Sequence, residues 1–569
     1  MDQRYIWNVE QRMTSQQYDA LNRFGRLLAK LLFVRGVRTE QQGMAMIKDI
    51  GLKYDPYQMK NMKKVVLEIK EAIKNQKRIT IFGDYDADGV TASAILIKAI
   101  RALGGIVDSY IPDRFLEGYG LNKEALKKIK ENGTDLVISV DCGIRSIEES
   151  EYAHKIQLPL IITDHHEPGE VLPQPMVLLS PKQPEDEYPD KNLAGCGIAL
   201  KIAQALSANT NLIDMNELIM IATIGTVADL VPLLDENRSL VRQGLLLFKR
   251  KKCLFLDAMS EKAGFDPNEI TSSLISYAIA PRLNAAGRMK HASAALNLLL
   301  SETKEEALTY AAEIEKMNTE RQLITQKIHD TAEKSVETDG VPFVICIKDK
   351  DYSMGVVGLA AAKLTEKYNR PTFVGHTDGK EIRLSGRSIQ QFNMIEAMDE
   401  ISDVFLKYGG HAMAAGATVS EDKWDEFVKE INRIACEKVD FDSVTPEIKA
   451  DLCIPSELIS LKACDTITLL EPFGESNKQP LFEVDNLKVV EHAVIGTGKN
   501  HLKLKLKNAK GQVFDAIAFR SADREPELPD YIDIICAIEK NTWHGNDNVQ
   551  LRIVDIRTAA IISGFEGKN

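Results

Sequence analysis

The residues best suited to chemistry are carboxylates and imidazoles that follow three predicted strands in the N-terminal half of the chain. The first strand ends in GDYDADG, the third in DCG and the fourth in DHH. The ionisable residues of these loops are Asp84, Asp86, Asp88, Asp141, Asp164, His165 and His166. In a parallel sheet, ligands bind outside the carboxyl ends of the strands. The spacing therefore predicts one crevice that is lined with negative charge.

Such a concentration of carboxylates predicts a bound cation. Carboxylates a few ångströms apart raise each other's pKa, and a divalent ion relieves that repulsion. A ligand set of carboxylates and imidazoles without a thiolate favours manganese or magnesium over zinc. Asp229 lies in an otherwise apolar helical segment, GTVADLVPL, where a lone carboxylate needs a partner. We therefore expect Asp229 to join the cluster.

Each acidic loop has a simpler interpretation when it is taken alone. An Asp after a strand often does no more than cap the next helix. The segment DYDADG could also be a calcium loop, but it lacks the following Glu at the spacing of an EF-hand. The joint occurrence of these groups with Asp229 in one domain favours the metal site.

The elements that must position these residues alternate between short apolar runs and amphipathic segments. The β-branched runs predict strands at 79–82, 107–111, 136–140, 158–163 and 176–180. Amphipathic segments predict helices between them, and further helices over 196–207 and 216–231. This alternation indicates an α/β domain with a mostly parallel sheet covered on both faces.

A charged segment without Gly or Pro follows this domain. Residues 302–337 carry apolar side chains at helical spacing, which predicts one helix of about 50 Å at ~1.5 Å per residue. A helix of that length suits a strut between two domains. The alternative is a pair of core helices with an undetected turn.

Two further domains are predicted after the long helix. A second α/β unit contains LSGRS and GGHAMAAG, and from about 446 short alternating strands such as HLKLKLK predict a small OB-type β-barrel. The expected parts are a helical lead-in (1–50), a catalytic domain (51–301), a linker helix (302–338), a substrate-binding domain (339–442) and a nucleic-acid-binding barrel (443–569).

Several basic, aromatic and glycine residues are candidates for holding phosphates and bases. Arg offers a planar fork for phosphate, Tyr stacks on bases, and Gly lets a backbone approach a phosphate closely. The candidates are Arg114, Tyr119, Arg282, Asn284, Arg288, Ser385, Arg387, Gly409, Gly410, His411, Lys503 and Lys505. Each candidate also has a purely structural interpretation. Arg114 could be a surface residue and Tyr119 a core residue. The glycines before His411 could form a turn beside a hydrogen-bonded His, and the lysines could simply face solvent.

The bulk composition limits the class of protein. The net charge of −12 argues against nucleic-acid binding, but bound cations would offset several carboxylates and a local basic groove sets the field at a strand. The start, MDQRYIWNVEQRM, has no basic segment before an apolar run, so we expect no signal peptide. The eight cysteines are scattered without a CxxC pair, which argues against a disulfide framework and fits a reducing cytoplasm.

Four motifs resemble those of the DHH phosphoesterase family, in the order DYDADG, VDCG, DHH and VADLVPL. The later GRS and GGH segments resemble the DHH-associated second domain of that family. With the terminal barrel, the full order is similar to that of the family's single-strand-specific exonucleases over roughly residues 50–560, with no departure within the motifs. The chain ends soon after this barrel, so we expect it to lack the extra C-terminal domain of longer relatives.

The resemblance implies roles for individual residues and two bound ions of Mn²⁺ or Mg²⁺. The metal ligands it implies are Asp84, Asp86, Asp88, Asp141, His165 and Asp229, with Asp141 as the bridge. The catalytic groups it implies are His166, Asp141 and Asp164. His166 would lie beside the scissile phosphate, where it either orients the phosphate or protonates the leaving oxygen, or else fixes a metal ligand.

The resemblance also implies a function. That function is hydrolysis of single-stranded DNA from the 5′ end, with release of mononucleotides, in DNA repair and recombination. Single-strand-binding protein and other repair factors would be partners, and no membrane is involved. Alternatives are an oligoribonucleotide or cyclic-dinucleotide phosphodiesterase of the same family, and a strand-binding scaffold without activity. The barrel and the chain length favour the exonuclease over the first, and the complete acidic cluster favours it over the second.

Overall fold

The computed structural model describes residues 5–9, 13–114, 116–208, 210–441, 445–496, 498–543 and 546–559. The chain forms two compact units. One unit joins residues 1–49 with residues 442–569, and the other comprises residues 50–441. Among the helices within these ranges, none is long and apolar enough to cross a membrane.

The N-terminal segment is mostly helical, as the sequence predicts. Its elements are β1 (Ile6–Val9), α1 (Ser15–Asp19), α2 (Arg26–Val34) and α3 (Glu40–Lys48). The hydroxyls of Thr14 and Thr39 each accept a hydrogen bond from a backbone amide in the first turn of a helix. These side-chain caps define where α1 and α3 begin.

A parallel five-stranded sheet is the centre of the larger unit. Its strands are β2 (Arg78–Gly83), β3 (Ile106–Tyr110), β4 (Leu136–Val140), β5 (Leu160–Thr163) and β6 (Val177–Leu179). The strand order is β3-β2-β4-β5-β6, and every neighbouring pair is parallel. The predicted α/β architecture is confirmed, and the three strands that precede the acidic loops, β2, β4 and β5, are neighbours.

Helices cover both faces of this sheet. They are α4 (Met62–Lys74), α5 (Ala87–Ala102), α6 (Lys123–Glu131), α7 (Ile147–Lys155), α8 (Gly195–Ser207), α9 (Met215–Ala228), α10 (Asp235–Phe248), α11 (Leu254–Ala263), α12 (Ser272–Leu274), α13 (Ala280–Met289) and α14 (Ser293–Leu300). Ile81 and Ile138 lie in one core with α5, α8 and α9, whereas Phe82 and Val137 lie in another with α6 and α7. Successive strand residues thus face opposite layers, which explains the continuous apolar runs.

One continuous helix, α15 (Lys304–Asp339), follows the sheet domain. Thr303 caps it in a capping box with Glu306. Ile314 packs into the core of the sheet domain, whereas Ile328 packs against the domain that follows. The structure therefore has the single long helix that the sequence predicts, and no turn divides it.

The second domain of this unit contains a mixed five-stranded sheet. Its elements are β7 (Ile345–Asp349), α16 (Met354–Tyr368), β8 (Thr372–Thr377), β9 (Glu381–Arg387), α17 (Met394–Asp399), β10 (Phe405–His411), β11 (Ala414–Ser420) and α18 (Trp424–Lys438). The strand order is β10-β11-β9-β8-β7, with only the β7–β8 pair parallel. Ala414 pairs with Arg387 on one side and His411 on the other, so LSGRS and GGHAMAAG lie at one end of this sheet.

The C-terminal strands close into the predicted barrel. The elements are β12 (Glu447–Ala450), β13 (Leu452–Cys453), α19 (Leu461–Thr468), β14 (Phe482–Ile495), β15 (His501–Lys507), β16 (Val513–Ala518), β17 (Tyr531–Trp543) and β18 (Asn546–Thr558). Strands pair in the order β14-β15-β16-β18-β17, and β17 pairs back with β14. Leu502, Leu504 and Leu506 are buried, as their alternation with lysines predicts. Residues 443–444 and 560–569 of the predicted barrel lie outside the described residues.

The N-terminal segment is part of the barrel unit. β1 pairs in parallel with β12, and Leu28 and Leu31 of α2 share a core with Phe482 of β14. Arg35 forms a largely buried ion pair with Asp451 at 3.1 Å. We expected residues 1–50 to be a separate lead-in. The grouping differs because the apolar face of α2 is covered by strands more than 400 positions away, and no local pattern reports such a contact.

Candidate metal centre

The loop after β2 turns directly into helix α5. Asp86 is the N-cap of this helix, and its Oδ1 accepts hydrogen bonds from the amides of Asp88 (2.9 Å) and Gly89 (3.0 Å). Asp88 in turn accepts hydrogen bonds from the amides of Gly195 (2.6 Å) and Cys196 (2.9 Å) at the start of α8. The simple helix-cap interpretation therefore holds for Asp86, but Asp88 is held by a second helix.

Asp141 follows β4 in a left-handed backbone conformation, with φ of 61°. This conformation is strained for a residue other than Gly, and such strain often marks functional positions. A Cβ atom added at Gly195 would lie 2.7 Å from the Cβ of Asp141. The absence of a side chain at position 195 thus allows α8 to approach both Asp88 and Asp141.

Asp164 organises the loop after β5. Its carboxylate accepts hydrogen bonds from the backbone amides of Ile144, His165 and His166, and it lies 2.7 Å from Nδ1 of His166. Burial alone would raise the pKa of Asp164, but the hydrogen bond to His166 and those from the amides outweigh burial and lower it. Asp164 therefore remains a carboxylate that fixes both histidines.

His165 lies at the meeting point of the three loops. Its Nε2 is 3.1 Å from Oδ1 of Asp141, 3.5 Å from Oδ2 of Asp229 and 3.9 Å from Oδ2 of Asp88. A second group of donors adjoins the first: one oxygen each of Asp84, Asp86 and Asp141 lie within 4.8 Å of one another. The structure thus brings together all six residues implied as metal ligands.

Asp229 reaches the cluster from the end of a helix, and not from its interior as the apolar sequence predicts. Helix α9 ends at Ala228, Asp229 is its C-cap, and Leu230 adopts a left-handed φ of 59°. The expected helix over 216–231 is therefore three residues too long. Burial and the nearby Asp88 raise the pKa of Asp229 to about 8.

Buried polar atoms without a hydrogen-bond partner show that a cation fits this site. In the part of the chain that the structure describes, these atoms include Oδ1 of Asp84, Oδ1 of Asp141 and Nε2 of His165; the last two lie 3.1 Å apart but do not form a hydrogen bond. Burial and Asp86 raise the pKa of Asp84 to about 8, and burial with Asp88 raises that of Asp141. Burial lowers the pKa of His165, which favours the neutral imidazole that binds metals. Oxygen and imidazole donors without thiolate suit Mn²⁺ or Mg²⁺.

His166 lies beside the ligands with its side chain partly exposed. Its Nδ1 faces Asp164, and the hydroxyl of Tyr119 lies 3.4 Å from the same nitrogen and 3.3 Å from the carbonyl oxygen of Asp141. The hydrogen bond to Asp164 is the main reason that the pKa of His166 is raised. Among the residues described, Nε2 has no partner.

Arg114 and Arg288 border the same crevice. The guanidinium of Arg114 lies over the ring of Tyr85, 5.0 Å from its centre. Burial, then the charge of Arg114, lowers the pKa of Arg288 to about 10, and Asp86 acts in the opposite direction. Nη1 of Arg288 is 3.4 Å from the carbonyl oxygen of Gly355 on α16. Arg288 therefore lies between the acidic cluster and the second domain.

Two predicted phosphate contacts are engaged within the protein. Arg282 forms an ion pair with Glu315, with Nε 2.5 Å from Oε2. Oδ1 of Asn284 accepts a hydrogen bond of 2.8 Å from the amide of Ala87. Asn284 therefore positions the start of α5 next to the acidic loop. The ion pair of Arg282 links α13 to α15.

The second domain presents the predicted glycine, serine and arginine segments. Nη1 of Arg387 lies 3.3 Å from the hydroxyl of Ser385, while Gly409, Gly410 and His411 are exposed at the end of β10. In the barrel, Lys505 pairs with Glu491 at 2.8 Å, whereas Lys503 is exposed. The lysine face of β15 is thus partly neutralised, in agreement with the alternative of a solvated face.

Sequence reasoning missed the support that α8 gives to the acidic residues. The amides of Gly195 and Cys196 bind Asp88, and Tyr85 provides the ring under Arg114. The segment LAGCG at the start of a predicted helix was the available signal, because an uncapped, glycine-rich helix start exposes amides to an anion.

Three family models match successive parts of the chain. The DHH family N-terminal domain matches residues 78–226, the DHHA1 domain matches residues 340–437, and the RecJ OB domain matches residues 450–555. The three models follow the same order as the sheet domain, the mixed-sheet domain and the barrel.

Curated relatives and a solved structure extend the match to nearly the whole chain. The single-stranded-DNA-specific exonuclease RecJ of Bacillus subtilis is 39% identical over 93% of this chain and 67% of its own. The Salmonella typhimurium protein of the same name is 32% identical over 93% of this chain and 95% of its own. The crystal structure of RecJ from Thermus thermophilus in complex with Mn²⁺ has a TM-score of 0.82 and 28% identity, covering 98% of this chain and 80% of that one. The chain therefore belongs to the family of single-stranded-DNA-specific RecJ exonucleases.

Proposed function

We propose that the protein is a metal-dependent exonuclease that hydrolyses single-stranded DNA in the 5′-to-3′ direction and releases mononucleotides. The observation that carries this proposal is the convergence of buried carboxylates and one imidazole on two adjoining groups, with donor atoms left unsatisfied. Such a site fits divalent cations and little else, because burying this many carboxylates together is otherwise costly.

The residues that would hold the cations come from four separate elements. They are Asp84, Asp86, Asp88, Asp141, His165 and Asp229. When bound, divalent cations would neutralise charge on the phosphate and acidify the attacking water. The protein fixes the ligands beforehand through the amides of Gly195 and Cys196 and through the strained backbone of Asp141.

His166 and Asp164 act as a pair beside the cations. Asp164 holds Nδ1 of His166, so that Nε2 is the nitrogen that can meet a phosphate oxygen or protonate the leaving oxygen. The hydroxyl of Tyr119 contacts the same imidazole, and its half-exposed ring can stack on a base. This arrangement favours a role for His166 in contact with substrate over one that only fixes a metal ligand.

The strand would extend from this centre towards the second domain. Arg114 and Arg288 border the crevice without a carboxylate partner in the residues described, and each can bind a phosphate through its planar fork. Ser385, Arg387, Gly410 and His411 would hold the terminal phosphate.

We retain the five expected parts of the chain as a functional division, with the amendment that the lead-in belongs to the barrel unit. The barrel, with Lys503 on its surface, would supply further contacts to the strand.

The cellular role is part of the same proposal. An exonuclease with this substrate serves DNA repair and recombination, with single-strand-binding protein and other repair factors as partners. We place it in the cytoplasm, since all eight cysteines are free. The closed barrel favours long strands over the dinucleotides used by smaller members of the DHH family.

Digestion of end-labelled oligonucleotides tests this function. We expect release of mononucleotides from 5′-phosphorylated single strands in Mn²⁺, little release from duplexes or dinucleotides, and slower release without the 5′ phosphate. Asp141→Ala should lower the rate on the order of a thousandfold or more. Asp403→Ala, at an exposed position, is the matched control and should be unaffected. Equal rates for the wild type and Asp141→Ala would refute the proposal, and preferential cleavage of dinucleotides would favour the alternative substrate.

A further inference from the structure

Helix α15 carries several polar residues on its buried side, in the part of the helix that lies between the core of the sheet domain and that of the second domain. On the N-terminal side, Ile314 packs in the core of the parallel sheet, and on the C-terminal side Ile328 packs against the second domain. Met317 still belongs to the first core, and Ile324 packs against the second. The polar residues Asn318, Arg321 and Thr325 lie beside them between Ile314 and Ile328. Asn318 and Thr325 are only 1% and 2% exposed. Polar residues at such a junction need partners, which raises the question of what Arg321 binds.

The guanidinium of Arg321 is only partly satisfied by the protein. Its Nε and Nη2 share one acceptor, Oδ1 of Asn318, at 3.3 Å and 2.8 Å. No carboxylate forms an ion pair with Arg321 in the stretches of chain described. Because an arginine carries five N–H donors, most of them remain for a ligand. Asn318 thus fixes the orientation of the guanidinium without neutralising it.

Arg282 and Arg288 are the charged residues that act on, or are acted on by, Arg321. Burial and the nearby Arg282 lower the pKa of Arg321, and Arg321 is itself among the charges that lower the pKa of Arg288. Within the described residues, the ion pair of Glu315 is with Arg282 and not with Arg321. Like charges at a half-buried position are unfavourable unless an anion joins them.

The position of Arg288 relates this positive group to the metal centre. Arg288 lies near enough to Asp86 for that carboxylate to affect its pKa. Its backbone packs against α16 so closely that a Cβ atom at Gly355 would lie 2.0 Å from the carbonyl oxygen of Arg288. Arg288 therefore lies between the acidic cluster and α16. Arg321 lies on the part of α15 that passes from the core of the sheet domain to that of the second domain.

We propose that Arg321 is a further phosphate-binding residue, which with Arg288 binds a backbone phosphate of the single strand at this junction. The inference rests on the proposed function, because it takes the anion to be part of the nucleic-acid substrate. Asn318 is then a positioning residue that holds the guanidinium ready for the phosphate.

Binding at several salt concentrations tests this role. The probe is a 5′-phosphorylated 12-mer of thymidylate with a 3′ fluorescein, and the protein carries Asp141→Ala so that the probe survives. Arg321→Gln should raise the Kd roughly tenfold, the effect of one charge-assisted hydrogen-bonded contact. It should also reduce the slope of log K against log salt by about 0.7, the value for one phosphate contact on a single strand.

Matched variants separate binding from structure. Arg433→Gln, on the surface of α18, should change neither quantity. Asn318→Ala should weaken binding when Arg321 is present and have no further effect in Arg321→Gln, as coupled residues do in a double-mutant cycle. Arg321→Lys should keep the salt slope but raise the Kd, since it retains the charge and loses the fork. If Arg321→Gln does not fold, Arg321→Lys provides the test in its place. An unchanged Kd for Arg321→Lys would then overturn the inference.

The binding experiment distinguishes failure of the role of Arg321 from failure of the proposed function. An unchanged Kd and slope for Arg321→Gln, or a weaker Kd with an unchanged slope, overturns the role of Arg321 while the proposed function stands. Failure of the Asp141→Ala parent to bind the 12-mer at low salt would instead count against the proposed function.

Discussion

At the scale of single residues, the metal centre is a balance between burial and repulsion. The carboxylates of Asp84, Asp141 and Asp229 are buried together, and their pKa values are all raised by burial. Backbone amides hold the neighbouring Asp86 and Asp88 in place. The protein therefore carries an electrostatic cost in its metal-free state that bound cations remove.

Asp229→Asn should stabilise the metal-free protein and reduce the additional stability that Mn²⁺ provides. The pKa of Asp229 is raised to about 8, so in the metal-free protein at pH 7 this carboxyl must take up a proton, whereas an amide is already neutral. We therefore expect the free energy of unfolding of the metal-free variant to be about 1 kcal/mol higher than that of the wild type. We also expect most of the stabilisation by Mn²⁺ to be lost. Thermal unfolding in EDTA and in excess Mn²⁺ measures both. Equal destabilisation of the variant under the two conditions would contradict the account.

Gly195→Ala should weaken metal binding although position 195 is not a ligand. The added Cβ atom would lie 2.7 Å from the Cβ of Asp141 and would push α8 away from Asp88. Displaced supports of metal ligands typically cost about 10- to 100-fold in metal affinity. Titration of activity with Mn²⁺ measures the loss.

Gly197→Ala on the same helix is the control for Gly195→Ala. A Cβ atom at position 197 would make only an ordinary contact, 3.4 Å from Leu193. We expect an unchanged affinity for Mn²⁺, and a loss equal to that of Gly195→Ala would show that helix α8 tolerates no substitution for a reason other than the acidic residues.

At the scale of elements, the contact between α13 and α16 sets the distance between the metal centre and the second domain. Gly355 allows this contact because it has no side chain to meet the carbonyl oxygen of Arg288. Gly355→Ala should therefore raise the KM for a single strand about tenfold or more while leaving the affinity for Mn²⁺ unchanged. Initial rates at varied strand and metal concentrations separate the two quantities.

Gly416→Ala is a suitable comparison for Gly355→Ala. It lies in the sheet of the second domain, where the nearest atom to an added Cβ would be 3.8 Å away. We expect wild-type KM values for this variant. A fall in metal affinity for Gly355→Ala that matches its rise in KM would show that the α13–α16 contact supports the ligands and not the strand.

At the scale of the whole molecule, the division into two units predicts which truncations fold. Residues 50–441 contain the metal centre and its cores, so this fragment should fold and cleave short 5′-phosphorylated strands in Mn²⁺. Without the barrel, it should bind long strands more weakly than the full chain. Gel filtration and rates on 4-mers and 30-mers provide the measurements, and full affinity of the fragment for 30-mers would be the contrary result.

A fragment of residues 1–441 should be less soluble than a fragment of residues 50–441, although it is longer. Its helix α2 would expose Leu28, Leu31 and Leu32, which the barrel unit buries. Exposed apolar patches of this kind promote aggregation. Light scattering of the two fragments after purification compares them directly, and equal solubility would contradict the assigned packing of the N-terminal segment.

The parts predictable from sequence were those with local signals. The strands before Asp84, Asp141 and Asp164 are β-branched runs, and the parallel arrangement followed from their alternation with helices. The association of residues 1–49 with the barrel and the ion pair of Arg282 with Glu315 were not predictable, because each depends on contacts between distant segments. The structure places Asp229 in the acidic cluster, but the end of its helix was not predictable because the apolar run continues past Leu230.

If the three strand ends and the end of α9 together hold catalytic cations, manganese should bind between them. Anomalous diffraction at the manganese edge, from crystals grown with Mn²⁺, tests it most directly. The account predicts manganese peaks between Asp88, Asp141, His165 and Asp229 and beside Asp84, with loss of occupancy in Asp141→Ala. Manganese bound elsewhere, with this cluster empty at saturating Mn²⁺ and neutral pH, would contradict the account.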